Sequence, residues 1–153
     1  MRGIHTDAKA FALKLLSYRS RSKKEMFEKL KRKGFSGREI DNTIHFLEKT
    51  GLICDETLVT ELFRYSVERK SLGKKGIEAF LSRRGIDKEL INNALSNHTN
   101  AIEAESAKRF AGKKLKSLKK YPKEIVKRRL WGMLQRRGFS IDVIRKTVDS
   151  LIR

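Results

Sequence analysis

Arg109, Lys113, Lys116 and Lys120 recur at i, i+4, i+7 and i+11, with Lys114 and Lys119 beside them. At helical spacing the four share one face, and Phe110, Ala111, Leu115 and Leu118 take the neighbouring apolar stripe. Like charges so arranged repel one another by roughly a few tenths of a kcal/mol per pair. A face built against its own stability suits an anionic partner; the alternative is a solvated lysine face. The chemistry it offers is phosphate binding, largely independent of base sequence and falling steeply with salt as counterions leave.

Further cations stand immediately before three glycines, as Lys31-Arg32-Lys33, Arg83-Arg84 and Arg136-Arg137. In the last turn of a helix they complement its dipole. The same side chains would also serve as a shared contact to DNA or to an acidic protein surface. Trp131 and Phe139 lie in the same basic region, and their rings have the chemistry to stack on an exposed base. Yet Trp131 precedes Gly138 as Phe27 precedes Gly34, by seven residues in each case, a register that points to the core.

Catalytic constellations are missing from the sequence. There is no G-x-x-x-x-G-K-[ST] loop, and Gly73-Lys-Lys-Gly76 reads as a turn. His5, His45 and His98 share no register and form no H-E-x-x-H pair. Cys54 has no histidine placed by sequence to activate it and reads as a passive thiol. The carboxylates recur with no motif, which argues against a Mg²⁺-dependent nuclease. The expectation is a protein without catalytic residues, cofactor or metal.

The balance of 37 Lys and Arg against 18 Asp and Glu leaves a formal charge of +19 on 153 residues, far beyond what solubility requires. A polyanion is the partner this implies, nucleic acid before an anionic membrane surface. A single cysteine excludes an internal disulfide and fits a reducing, cytosolic setting. No run approaches ~18 apolar residues, which excludes a membrane-spanning helix. Met1 to Asp7 carry no apolar core of a signal peptide.

What must position these cations is a pattern written three times. Leu30-Lys-Arg-Lys-Gly34-Phe35-Ser36, Leu81-Ser-Arg-Arg-Gly85-Ile86-Asp87 and Leu134-Gln-Arg-Arg-Gly138-Phe139-Ser140 superimpose on their glycines, 51 and 53 residues apart. Six positions after each glycine sits Ile40, Ile91 or Ile144; ten after, Ile44, Leu95 or Val148; eight before, Met26, Ile77 or Leu130. Each unit reads as helix, helix, glycine stop, helix.

In the first unit Thr6 is the expected N-cap, with Phe11, Leu15 and Tyr18 on one face. Ser22 and Glu25 form a capping box before Met26, Phe27 and Leu30; Gly34 ends that helix, and Ser36 with Glu39 opens the next. In the second, Asp55 is the expected N-cap of a helix facing inward through Val59, Leu62, Phe63 and Tyr65. In the third, the region Thr99–Asn100 opens the first helix and Pro122 takes the first position of the second. Phe35, Ile86 and Phe139 are placed to plug the corners. No segment alternates with a strand's period. The expected fold is all-α: nine helices in three tandem three-helix repeats, residues 1–51, 52–98 and 99–153, stacked into an elongated, curved array.

The first unit, from Ala12-Leu13 through Ser20-Arg-Ser22, Glu25, Leu30-Lys-Arg-Lys-Gly34-Phe35 and Leu47-Glu-Lys-Thr-Gly51-Leu52-Ile53-Cys-Asp55, resembles the opening of the bacterial RecX family of recombination regulators. Lys127-Arg-Arg-Leu130-Trp-Gly-Met-Leu134-Gln-Arg-Arg-Gly138-Phe139-Ser-Ile-Asp-Val-Ile144 resembles that family's last repeat. The middle unit departs, with Gly85-Ile86 for Gly-Phe. The resemblance implies a cytoplasmic, non-enzymatic modulator that binds the filament of the RecA recombinase on DNA. It also implies restraint of ATP hydrolysis, strand exchange and filament growth.

Charge divides unevenly over the three units. Residues 1–51 carry 13 basic and 6 acidic side chains, residues 52–98 carry 8 and 7, and residues 99–153 carry 16 and 5. Two basic ends flank a nearly neutral middle, so an elongated array could meet a polyanion at two places. Single- and double-stranded DNA, held through phosphates, and a RecA-type filament are the expected partners of an expected monomer. A general nucleic-acid-binding module without a recombinase partner is the alternative. The glycine turns are also similar to helix-turn-helix readers. However, the third helices offer little for base readout, with Asp41, Asn42 and Thr43 in one and Arg145, Lys146 and Thr147 in another.

Overall fold

The computed structural model describes residues 7–153. Their elements are α1 (Ala8–Tyr18), α2 (Lys23–Lys33), α3 (Gly37–Lys49), α4 (Asp55–Glu68), α5 (Lys74–Arg83), α6 (Lys88–Ser96), α7 (Asn100–Leu118), α8 (Lys123–Arg136) and α9 (Ile141–Leu151), with no strand among the described residues. Each successive triplet encloses its own core. Met26, Leu30 and Leu47 are fully buried in the first, Ile77 and Leu81 in the second, and Leu130, Leu134 and Ile144 in the third. Each such side chain contributes about 1.5–3 kcal/mol by leaving water. The three cores stay separate, and the 17.7 kDa chain exposes 10478 Å², against about 8,000 Å² for a compact monomer of that mass. The array is elongated.

Local signals explain most helix ends. The Ser22 hydroxyl accepts from the Glu25 amide at 3.1 Å while the Glu25 carboxylate accepts from the Ser22 amide, also at 3.1 Å, completing the capping box. Ser36, Thr99 and Ser140 cap α3, α7 and α9 through their hydroxyls, although Glu39 does not reach back to Ser36. Gly34, Gly85 and Gly138 adopt φ of +100°, +78° and +83°, the left-handed conformation that ends a helix with least strain at glycine.

Several details differ from the sequence reading. Thr6 lies outside the described residues, and Asp7 caps α1. Tyr18, 73% exposed, and Tyr65 leave their helix cores for solvent. Phe27 is 40% exposed, because Met26 and Leu30 already fill the inward face of α2. Pro122 is the N-cap of α8, so that helix begins at Lys123, one residue later than expected.

Asp55 does not cap its own helix; its carboxylate accepts from the Lys23 amide at 3.0 Å, capping α2 of the preceding triplet. The next joint repeats the device. Glu103, fully buried on α7, accepts from the Lys74 amide at the start of α5 at 3.3 Å and from the Ser140 amide at 3.2 Å. An arginine completes each joint. Arg84 donates to the Ser20 carbonyl at 3.0 Å and lies 3.4 Å from the Glu25 carboxylate. Arg137 donates to the Lys70 carbonyl, while the Gly73 amide donates to the Arg137 carbonyl at 2.9 Å. The second and third triplets thus each seat their Arg-Gly corner on the start of the previous triplet's second helix.

Candidate functional site

The cations of α7 form an exposed basic face on the third triplet. Ala107, Phe110, Ala111 and Leu118 bury one side of the helix in the third core, which turns Arg109, Lys113 and Lys116 outward into solvent. Four ion pairs occur among the described residues, namely Arg19–Glu25, Lys23–Glu48, Arg84–Glu25 and Arg145–Asp142. None involves α7, so its positive field is not neutralised from within. Arg109 donates to the Ser106 hydroxyl at 3.4 Å. The Lys114 ammonium sits 5.6 Å from the centre of the Phe110 ring and is half-buried there.

The stripe is shorter than its spacing suggested. α7 ends at Leu118, so Lys119 is its C-cap and Lys120 stands in the following turn, its ammonium 5.3 Å from the Tyr121 ring centre. Arg129 approaches the same ring at 4.2 Å, which brings α8 into the basic surface.

Cations before the glycines divide by their place in the array. Lys31, Arg32 and Lys33, in the first triplet, are exposed. Arg136 is exposed at the end of α8. Arg137 is committed to the joint: besides bonding the Lys70 carbonyl, its guanidinium lies 4.8 Å from the centre of the Phe110 ring. This corrects its reading as a surface contact, because the second arginine of each pair is enclosed by the preceding triplet. Phe139 is buried in the core and has no face for a base, whereas Trp131 is half-buried and lines a surface groove.

Titratable groups with altered acidity stand at the joints and their surroundings. Burial pushes the Glu25 carboxyl up, but the Ser22 amide, Arg19 and Arg84 outweigh it and hold the group below its ordinary value. Asp55 is raised, mainly by burial, with Glu56 and Glu48 adding to it against the Lys23 amide. His98 is lowered by burial, with the Glu103 carboxylate opposing and Lys74 assisting. Glu103 itself was missed by sequence reasoning. Its one available signal was an acidic residue four positions before Ala107, on the stripe that the core buries.

No cluster of three potential metal-ligating side chains occurs among the described residues. Cys54 is exposed, its sulfur 3.3 Å from the Thr57 hydroxyl. His5 lies outside the described residues. Thr43 and Thr147, weighed as base-reading residues, are buried, and Thr43 donates to the Glu39 carbonyl at 2.7 Å. No described helix is long and apolar enough to cross a membrane.

Comparison with known proteins supplies the context. Models of the first and third three-helix domains of RecX match residues 8–47 and 101–148. Regulatory protein RecX of Chlorobium limicola is 32% identical over 147 residues, covering 96% of this chain and 91% of that one. Its counterpart in Clostridioides difficile is 30% identical over 149 residues, covering 97% and 70% respectively. The crystal structure of RecX from Lactobacillus salivarius superposes with a TM-score of 0.78 at 26% identity, over 94% of each chain.

Proposed function

The chain belongs to the RecX family of regulatory proteins, and from that premise we propose that it binds a RecA-type filament on DNA and restrains it. The observation that carries this reading is the exposed cationic run Arg109, Lys113 and Lys116, unpaired by any carboxylate among the described residues, on the most basic of three triplets. Such a run holds phosphates without reading bases. Lys31, Arg32 and Lys33 offer a second contact on the first triplet, and an elongated array can engage two neighbouring positions of a helical polymer at once. Two weak contacts on one molecule raise the local concentration of the second once the first is made. The role is regulatory: the protein obstructs or remodels the filament and catalyses nothing itself, in the cytoplasm, as a monomer.

The test adds purified protein to RecA assembled on single-stranded DNA with ATP. Reduced ATP hydrolysis, reduced strand exchange and shorter filaments are expected; no change at saturation would overturn the reading. The same cationic run also suits a general nucleic-acid-binding module. DNA binding without any response from the filament would favour that second reading.

A further inference from the structure

A groove of about 490 Å³ opens between α8 and α9, with Trp131 at its centre. Part of the indole packs on the third core, and the rest lines the groove. Lys127 and Arg128 stand one helical turn before Trp131 and Gln135 one turn after, all on the same side of α8. Arg136 leans into this region as well, since a Cβ on Gly132 would lie 3.2 Å from Arg136 Nη1. The groove thus combines an aromatic surface, flanking cations and a side-chain amide with both donor and acceptor atoms.

The first triplet has a groove at the corresponding place. Phe27, Lys23, Lys24 and Ile44 occupy the registers of Trp131, Lys127, Arg128 and Val148 relative to Gly34 and Gly138. There, however, the second triplet walls the groove with Gly85, Ile86 and Asp87, and Asp41, Glu48 and Asp55 add carboxylates that repel phosphate. In the second triplet Glu78 replaces the aromatic residue altogether. Every residue lining the third triplet's groove belongs to that triplet, so the side walled by a neighbour in the first is open here. Two carboxylates, Glu124 and Asp149, both exposed, line it, against four at the groove of the first triplet.

We propose that the Trp131 groove binds a base of single-stranded nucleic acid by stacking, with Lys127, Arg128 and Arg136 holding the adjoining phosphates and Gln135 bonding the base edge. The planar indole accepts any base, because every base presents a π-face. A paired base has both faces covered by its neighbours, so the groove discriminates single strands from duplex. The α7 cations, which meet phosphates alone, do not. This rests on the DNA-binding part of the proposed function and assigns it a second, base-dependent contact.

Trp131 is the chain's one tryptophan, so fluorescence excited selectively at the indole, and not at the three tyrosines, reports on this groove. The experiment titrates the wild-type protein with an oligothymidylate, an abasic oligomer of equal charge, and a duplex. A quench with the oligothymidylate, absent or much weaker with the other two, is expected. Trp131→Ala should weaken single-strand affinity by about 5- to 150-fold while leaving duplex affinity unchanged, with Trp131→Phe retaining most of the binding. An oligoribonucleotide of matched length separates the two sources of single strand: a tighter RNA than DNA complex would overturn the assignment to DNA within the proposed function, but not the stacking itself. Equal quenching by the abasic strand, or unchanged single-strand affinity in a folded Trp131→Ala variant, overturns the proposal. Should the alanine variant fail to fold, the wild-type titration and Trp131→Phe still decide it. If the oligomers bind alike without base dependence, this proposal falls and the reading of a filament regulator stands; a filament that ignores the protein has the opposite consequence.

Discussion

Gly138 lies so close to Gly76 that a Cβ on Gly138 would overlap the Gly76 nitrogen, which joins the corner of the third triplet to the start of α5. Gly34 holds the corresponding position in the first triplet, and a Cβ there meets nothing within 4 Å. Both carry positive φ, so both resist a side chain, but only Gly138 is also packed against another backbone. Gly34→Ala should therefore cost about 1–2 kcal/mol, the strain of a left-handed alanine. Gly138→Ala should cost about 2–5 kcal/mol, because overpacking adds to that strain. Urea denaturation of the two variants measures the difference, and equal losses would mean that the joint adds nothing to stability.

The Glu103 carboxylate is the second element of that joint. It accepts from the Lys74 and Ser140 amides, which stand at the starts of α5 and α9 in different triplets. Glu103→Ala leaves both donors without this partner and should cost about 2–3 kcal/mol. Glu103→Gln keeps an acceptor oxygen in place and should lose less. Hydrogen exchange at the Lys74 and Ser140 amides is the specific readout, with both accelerated in the alanine variant.

The contrast between these residues shows what a sequence carries openly. Gly34, Gly85 and Gly138 were legible because a helix stop is a local event, written as a glycine at a fixed distance from apolar residues. The Ser22–Glu25 box was legible for the same reason. Asp55 and Glu103 were not, since the amides they serve lie 32 and 29 residues away and meet them only when triplets stack. Arg137 was misread by the same route: a basic residue in a last turn looks exposed until a neighbouring triplet covers it. Of the candidate interface, the outward cations on α7 followed from periodicity. The groove at Trp131 did not, because its openness depends on how neighbouring triplets pack.

His98 provides a pH test of the same region. Burial lowers its pKa below the ordinary 6.5, with Glu103 opposing and Lys74 assisting. As pH falls, the unfolded chain therefore takes up a proton at this position before the folded chain does. Stability is full above the ordinary value, is lost as pH drops below it, and levels off below the folded-state pKa. Denaturation midpoints of the wild type should fall between about pH 7.5 and 5.5, and those of His98→Asn should fall less. A steeper decline in the variant would contradict the assigned direction.

Lys113, Lys116 and Lys120 distinguish a binding face from a merely solvated one. Replacing all three with glutamate exchanges one set of like-charge repulsions for another of similar size, so helicity by circular dichroism should hold. Phosphate binding at these positions should disappear, with DNA or filament affinity reduced about tenfold or more at moderate salt. The slope of log affinity against log salt should flatten by about one unit for each phosphate no longer neutralised. Lys113 and Lys116 project directly from α7, whereas Lys120 stands beyond its end against Tyr121; single substitutions should therefore weaken binding less at Lys120. Reversing Lys31, Arg32 and Lys33 tests the far triplet separately. If that change alters filament binding but not binding to a short oligomer, the two ends act together only on a long polymer. If affinity and salt slope both stay unchanged in the α7 variant, the phosphate-binding face lies elsewhere on the array.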